Sequence, residues 1–278
     1  MEAPKKRHFR QRAHSNVLNN THTWFPAAPD KVPWKNYYPR KYDTLHNVTF
    51  VDIGCGFGSL LLTLADTFKD DLVMGIEIRA QVIEYVQRRV LAARHEAANP
   101  TNPNMQPAER YENLWAVHNN AQRFMPNFFE KEQLTKVFIC FPDPHFKKKN
   151  QRRRVITKAL LAEYSYCMAK SGLLYIITDV AELMEWMVRH VTECPLFERL
   201  SNDELKSDPA VPLLVNTDEG KKVQQFNGNM YIAVYRKRDD PTSPREECAV
   251  LDNSIAAAAA ADAGYTPKEG GETRGRNW

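Results

Sequence analysis

The ten residues Val51-Asp52-Ile53-Gly54-Cys55-Gly56-Phe57-Gly58-Ser59-Leu60 constrain this chain more than any other stretch. An apolar run of β-forming residues, 48–53, stops at a glycine-rich turn, and a helical pattern starts at Ser59. Glycines remove side chains and permit backbone angles closed to other residues, so a nucleotide-type ligand can lie directly over such a turn. The spacing is G-x-G-x-G, at Gly54, Gly56 and Gly58. The dinucleotide fingerprint G-x-G-x-x-G needs its third glycine at the position of Ser59, so the spacing points away from NAD. A small-residue turn with no ligand remains the alternative at this point.

A second element strengthens the ligand reading. Residues 72–78 (LVMGIEI) form another strand pattern with Glu77 at its carboxyl end, 23 positions after Gly54. That gap is close to the roughly 20 residues expected for an acid that receives ribose hydroxyls in a βαβ unit. A carboxylate there can accept both hydroxyl protons of an adenosine. Otherwise Glu77 is a strand-end glutamate facing water. Arg79 follows, and 80–96 continues as a helix.

Alternation persists along the chain. Short apolar runs at 114–118, 136–141 and 173–178 are separated by helical segments at 157–169, closed by Ser171-Gly172, and at 180–193, stopped by Pro195. A last strand, 230–236, fits the antiparallel strand that finishes such sheets. The expected fold is α/β: a Rossmann-like, doubly wound, mostly parallel sheet with an antiparallel edge strand. Residues 1–46 lack periodicity and read as a basic, flexible, extended arm. Residues 47–238 form the Rossmann-like domain, and 239–278, with six consecutive alanines, read as a disordered tail. With 278 residues, 43% of them hydrophobic, the chain can bury one substantial core. No apolar run reaches the 18 or so residues of a membrane span. The five cysteines are scattered and lack any C-x-x-C pair, which predicts reduced thiols and no metal site.

In doubly wound sheets ligands bind outside the carboxyl ends of the strands. Strand three ends at Asn119-Asn120-Ala121, where an amide can pair with an adenine edge and alanine leaves room for the ring, or where an asparagine merely suits a turn. Strand four ends in Phe141-Pro142-Asp143-Pro144-His145-Phe146. Two prolines stiffen that loop and bias Phe141 and Asp143 toward extended angles. A carboxylate between aromatics can grip a flat base, with Phe141 or Phe146 stacking and Asp143 accepting N–H protons. Next come Lys147, Lys148, Lys149, Arg152, Arg153 and Arg154, six cations in eight residues. Like charges this dense fit a polyanion, and RNA phosphate is the simplest partner beside a base-gripping loop. A nuclear-import patch is the rival reading.

Together these residues resemble the catalytic subunit of eukaryotic tRNA (guanine-N7-)-methyltransferases. The pieces that carry the resemblance are RQRAHSN at 10–16, DIGCGFG at 52–58, GIEIR at 75–79, NA at 120–121, PNFF at 126–129, FPDPHFK at 141–147, LLAEY at 160–164, ITDV at 177–180, PLFER at 195–199 and T-x-E-G-K-K at 217–222. The resemblance implies S-adenosylmethionine on Gly54, Gly56, Glu77, Arg79, Asn120, Ala121, Cys140, Thr217 and Glu219, with Asp143 as the catalytic residue. It also implies methyl transfer to N7 of a variable-loop guanine in tRNA, a WD-repeat propeller as non-catalytic subunit, and a nuclear location, with a cytoplasmic pool as an alternative. Only about nine residues separate Tyr38-Pro39 from strand one, where the family carries a longer charged segment, and the tail after Asp239 matches nothing in it. Residues 10–15 also fit the R-x-R-x-x-S pattern of basophilic kinases, which makes Ser15 a candidate phosphosite.

Guanine N7 carries an exposed lone pair, so its attack needs no general base. Positioning and a carboxylate near the developing positive charge are the chemistry this loop can supply. Two other classes remain in view from the residues. A methyltransferase for an exocyclic amine or a protein is distinguished by mass analysis of the product, and a non-enzymatic RNA scaffold by a cofactor titration.

Overall fold

A computed structural model describes residues 3–11, 16–18, 23–100 and 109–239. Seven strands form one sheet: β1 (Val48–Ile53), β2 (Leu72–Glu77), β3 (Leu114–His118), β4 (Leu134–Cys140), β5 (Met168–Thr178), β6 (Phe197–Arg199) and β7 (Tyr231–Lys237). Their order is β3-β2-β1-β4-β5-β7-β6. Pairs β1–β2, β2–β3, β1–β4 and β4–β5 are parallel, and β7 runs antiparallel to both β5 and β6. The doubly wound α/β class expected from alternation is therefore the one found. The order reverses between β1 and β4, so a crevice opens at their carboxyl ends.

Both faces of the sheet are covered, which is why its strands read as nearly unbroken apolar runs. Two short helices, α1 (Trp34–Tyr37) and α2 (Tyr42–Leu45), precede β1. Helices α5 (Ala121–Phe128), α6 (Lys158–Cys167) and α7 (Ala181–Glu193) bury Met125, Phe128, Leu161, Tyr164 and Met187 against one face. On the other face α3 (Ser59–Thr67), α4 (Ala80–Ala98) and α9 (Val211–Val215) bury Leu61, Leu64, Val86, Val90 and Leu214. Helices α8 (Asn202–Ser207) and α10 (Asp218–Gln225) complete the domain. Packing of α3 on β2 is close enough to require glycine: a Cβ on Gly75 would overlap Leu61 Cδ1 and lie 2.7 Å from Cys55 Sγ.

Three local readings change. The Ser171-Gly172 pair does not close a helix. β5 begins at Met168, and a register shift opposite Leu134–Lys136 absorbs the extra residues, with Ser171 at φ 55°. β7 is the penultimate strand, because the three residues of β6 take the outer edge. The stretch read as an extended arm is docked, most deeply from Pro29 onward. Val32 and Tyr38 are buried in the core, Tyr38 donates its hydroxyl to Val73 O at 3.0 Å, and Arg94 donates to Tyr37 O at 2.9 Å. Buried aromatics supply that docking, and no helical or strand period announces it.

Candidate active site

At the end of β1 the chain turns through Gly54 (φ 77°), Gly56 (φ 53°) and Gly58 (φ 75°), the left-handed region where side chains are strained. Gly54 N–H donates to Ile76 O at 2.8 Å, which ties the turn to β2. A Cβ on Gly54 would meet no atom within 4 Å, so the backbone there borders open space that a ligand can enter.

Glu77 ends β2 and is 4% exposed. Its carboxylate accepts from Gly56 N–H (3.1 Å), Arg79 N–H (3.0 Å), Arg79 Nε (3.0 Å) and Arg79 Nη2 (2.8 Å). Two residues that the sequence assigned to one ligand are thus paired with each other. For Glu77 to take ribose hydroxyls, Arg79 must release part of that fork. The bond from Gly56 meanwhile fixes the carboxylate over the glycine turn.

Asp52, inside the glycine motif but given no role by sequence, is 2% exposed, and its Oδ1 is buried without a hydrogen-bond partner. Burial, with the charges of Glu219 and Glu77 nearby, pushes its carboxyl up to about 8. A carboxylate cluster with one orphan oxygen suits a cationic ligand, which would satisfy the oxygen and offset the repulsion. S-adenosylmethionine carries a sulfonium and an ammonium, so the residues present fit that group.

Thr217 and Glu219 reach this cluster through α10. Thr217 caps the helix, accepting from Gly220 N–H at 3.0 Å, and Asp218 N–H donates to Ser59 Oγ at 3.0 Å, which joins α10 to the first turn of α3. Cys140 ends β4 against the same core, and burial holds its thiol well above the usual range, so it stays neutral. Ala121 is buried at the start of α5. Asn120 is committed elsewhere. Its Oδ1 accepts from Gln122 N–H at 3.1 Å as the α5 cap, and its Nδ2 donates to Val17 O at 2.7 Å.

That last bond belongs to a strap sequence reasoning missed. Lys6 Nζ pairs with Asp218 Oδ2 at 2.6 Å and lies 4.3 Å from the Phe57 ring centroid. Gln11 Oε1 accepts from Gln81 N–H at 3.2 Å. Asn119 Nδ2 donates to Trp24 O at 2.8 Å, and Asn127 Nδ2 to Pro26 O at 2.9 Å. The described amino-terminal residues therefore touch α10, α4 and the β3 end, all bordering the glycine turn. Only their polar and aromatic composition hinted at this. Arg12 and the candidate phosphosite Ser15 lie outside the described residues.

The loop after β4 places Asp143 with His145. Asp143 Oδ1 accepts from His145 N–H at 3.3 Å, and Nδ1 of His145 is 3.7 Å from Oδ2. Phe141 is not extended, as the following proline predicts, but has φ 49°, and His145 has φ 45°. Phe141 N–H donates to Ile177 O at 2.8 Å, which holds the strand end while the chain turns sharply. Non-glycine residues in this region cost about 1–3 kcal/mol each, so tertiary contacts enforce the loop's shape. Phe141 packs partly into the core, while Phe146 is 55% exposed, so of the two rings Phe146 is the one open to a base.

The cation run divides. Lys147, Lys148, Lys149 and Arg152 are exposed on or beside a 3-10 turn, Lys148–Arg153, and Arg153 is half-buried. Arg154 leaves the set at 2% exposure. It donates to Pro144 O (Nε, 2.9 Å) and Glu182 Oε1 (Nη2, 3.2 Å), and its guanidinium lies 4.6 Å from the Trp186 ring centroid. It braces the Asp143 loop and cannot reach phosphate. The guanidinium's planar fork and apolar-tolerant face suit that burial, which a linear count of charges cannot show. Among the described residues no group of three or more His, Cys, Asp or Glu could hold a metal, and no helix is long and apolar enough to cross a membrane.

A seven-stranded sheet in this order, with a glycine turn after β1 and an acid ending β2, defines a class I, Rossmann-like methyltransferase. A family model described as "Putative methyltransferase" matches residues 46–233. The tRNA (guanine-N(7)-)-methyltransferase of Debaryomyces hansenii is 44% identical over 246 residues, covering 86% of this chain and 82% of its own length. The enzymes of that name from Lodderomyces elongisporus and Yarrowia lipolytica are 45% and 43% identical over 242 residues each, covering 86% and 87% of this chain and 76% and 80% of theirs. The chain belongs to the tRNA (guanine-N(7)-)-methyltransferase family.

Proposed function

We propose that this enzyme transfers a methyl group from S-adenosylmethionine to N7 of a guanine in the variable loop of tRNA, as the catalytic subunit beside a WD-repeat propeller. The observation that carries the reading is the meeting, at the carboxyl ends of β1, β2 and β4, of a carboxylate cluster with an orphan oxygen (Asp52) and a strained, braced loop presenting Asp143. The names borne by relatives of 43–45% identity support the substrate. The propeller and the variable-loop position are supported by the sequence resemblance alone. A nuclear location is part of the same reading, since basic runs such as Lys147–Lys149 are also read by import receptors.

When bound, S-adenosylmethionine supplies an electrophilic methyl group on a sulfonium. Gly54 and Gly56 would offer backbone to it, Glu77 would accept its ribose hydroxyls, and Asp52 with Glu219 would offset its positive charge. Cys140 and Ala121 would give it neutral surface, and Thr217 caps α10. Asp143 accepts N–H protons from the guanine edge and so orients the ring. As N7 gains the methyl, positive charge grows on the purine, and the carboxylate of Asp143 stabilises it. No proton leaves N7, so Asp143 acts through position and charge. Lys147, Lys148, Lys149, Arg152 and the half-buried Arg153 meet phosphate.

Methyl transfer from radiolabelled S-adenosylmethionine to bulk tRNA, with and without the propeller subunit, followed by nucleoside mass analysis, tests the reading. The expected product is 7-methylguanosine, mapped to the variable loop and stimulated by the propeller. Another methylated nucleoside, or none in either condition, overturns it.

A further inference from the structure

The loop joining α10 to β7 carries Phe226, 72% exposed and the most exposed large apolar side chain among the described residues. Its backbone is firmly held. Phe226 N–H donates to Lys222 O and Val223 O at 3.2 Å each, Asn227 N–H to Gln224 O at 3.0 Å, and Gly228 N–H to Val223 O at 2.9 Å. A ring on so fixed a backbone loses little freedom when something stacks on it. Lys221 and Lys222 are exposed in the middle of α10, and Lys222, four residues before Phe226, shares its side of the helix.

The position of this loop follows from strand pairing. Thr178, the last residue of β5, pairs with Tyr231, the first of β7, so residues 226–230 lie at the carboxyl edge of the sheet. On the other side of β5, Phe141 N–H is bonded to Ile177 O, so the Asp143 loop leaves the same edge. The two loops flank the end of β5, with β4 and β7 about 10 Å apart at two strand spacings. Two more exposed aromatic residues belong to segments at this edge. Phe146 (55%) precedes Lys147–Lys149, and Trp24 (57%) is held through its carbonyl by Asn119 beside the β3 end.

One exposed ring is ordinary on a protein surface. Exposed rings with exposed cations beside them along one edge, Phe146 before Lys147–Lys149 and Phe226 after Lys221 and Lys222, fit a path for unpaired nucleotides, whose bases stack on aromatics while lysines follow the backbone. Paired RNA gives such rings nothing to stack on, because its bases are already stacked. We propose that Phe226, with Lys221 and Lys222, is a stacking platform for an unpaired base of the RNA near the methylated guanine. This rests on the tRNA reading above and adds a specificity-determining contact to it.

The test compares wild type, Phe226→Ala, Phe226→Trp and Lys221→Ala/Lys222→Ala in the full chain, alone and with its partner subunit. Bulk tRNA binding across a salt series and cofactor binding are the readouts. Phe226→Ala is expected to weaken tRNA binding roughly 5- to 150-fold, the range for loss of one base–aromatic stack, with an unchanged salt slope. Phe226→Trp should restore it, and the lysine pair should flatten the log–log slope by about 0.7 per contact. Cofactor affinity should stay at the wild-type value throughout. Wild-type tRNA affinity in Phe226→Ala overturns the proposal. So does loss of partner-subunit binding with tRNA affinity unchanged, which would assign the ring to a protein contact. Wild-type enzyme that binds tRNA but methylates no guanine at N7 overturns the proposed function and leaves the platform to be judged by the variants.

Discussion

Asn120 holds Val17, 103 residues away, through a 2.7 Å hydrogen bond from its side-chain amide to the backbone carbonyl. The same side chain caps α5 through Gln122 N–H, so one residue both starts a helix and ties the amino-terminal strap to the β3 end. Asn120→Ala should therefore cost about 2 kcal/mol, roughly 1 for the cap and 1 for the strap bond. Asn120→Ser, which keeps a capping oxygen but cannot span to Val17, should recover about half. Urea unfolding measures both, and faster amide exchange confined to residues 16–18 in the serine variant would assign the remainder to the strap. Equal stability of Ala and wild type would remove Asn120 from either role.

Asp143→Ala should lower turnover by about 100- to 1000-fold with an unchanged cofactor dissociation constant, the scale of one electrostatic stabiliser. Asp143→Asn preserves an oxygen for His145 N–H, which Asp143 Oδ1 now accepts at 3.3 Å, and so keeps the loop while removing the charge. An equal loss in both variants assigns the effect to charge. Near-normal turnover in the asparagine variant would make Asp143 a loop residue only.

Glu77→Ala should weaken S-adenosylmethionine by about 1.5–3 kcal/mol, the value of a charged hydrogen bond. The cost includes freeing Arg79 and Gly56 N–H, both of which Glu77 holds. Calorimetric titration gives the constant. A loss in tRNA affinity with cofactor affinity unmoved would contradict the ribose assignment.

Asp52 gives a pH signature with a definite sign. Its folded-state carboxyl sits at about 8, above the ordinary 3.8, because of burial and the Glu219 and Glu77 charges. The folded state then binds the proton more tightly than the unfolded one, so the ligand-free enzyme should lose stability as pH rises from about 4 to 8. Asp52→Asn should flatten that decline, raising the melting temperature more at pH 8 than at pH 5. A cationic cofactor favours the ionised form, so its binding near pH 7 should release a proton, seen as buffer-dependent binding heat. A flat stability difference between pH 5 and pH 8 would show that Asp52 stays ionised.

Arg154 and its lysine neighbours should separate cleanly. Lys147→Ala/Lys148→Ala should reduce the log–log salt slope of tRNA binding by about 0.7 per single-stranded contact. Arg154→Ala should leave that slope intact yet depress turnover, because Pro144 O and the Asp143 loop lose their brace. A reduced slope in the Arg154 variant would return it to the phosphate-contacting set.

The parts of this enzyme legible in its sequence are those encoded within a few residues. The run from Val48 to Ser59 reads as strand, turn and helix because apolar period and glycine spacing are local properties, and the structure has these elements at those positions. Glu77 at the end of a second apolar run was legible for the same reason. The antiparallel last strand was legible as well, though the edge position of β6 was not, since three residues carry no period.

What sequence could not decide is which polar groups meet. Arg154 stands in a row of cations like any other, and only the arrival of Pro144, Glu182 and Trp186 around it makes it a buried brace. Phe141 precedes proline and should be extended, but with its N–H bonded to Ile177 O on the neighbouring strand it stands at φ 49°. Asp52 looks like one more motif letter until burial leaves its Oδ1 without a partner. By itself the sequence determined the sheet class, the glycine turn and the acid that ends the second strand, because periodicity and glycine spacing act along the chain. Tertiary structure alone decided the strap over the β3 end, the burial of Arg154 and the strain at Asp143's loop, because each depends on hydrogen bonds and desolvation between segments far apart in sequence.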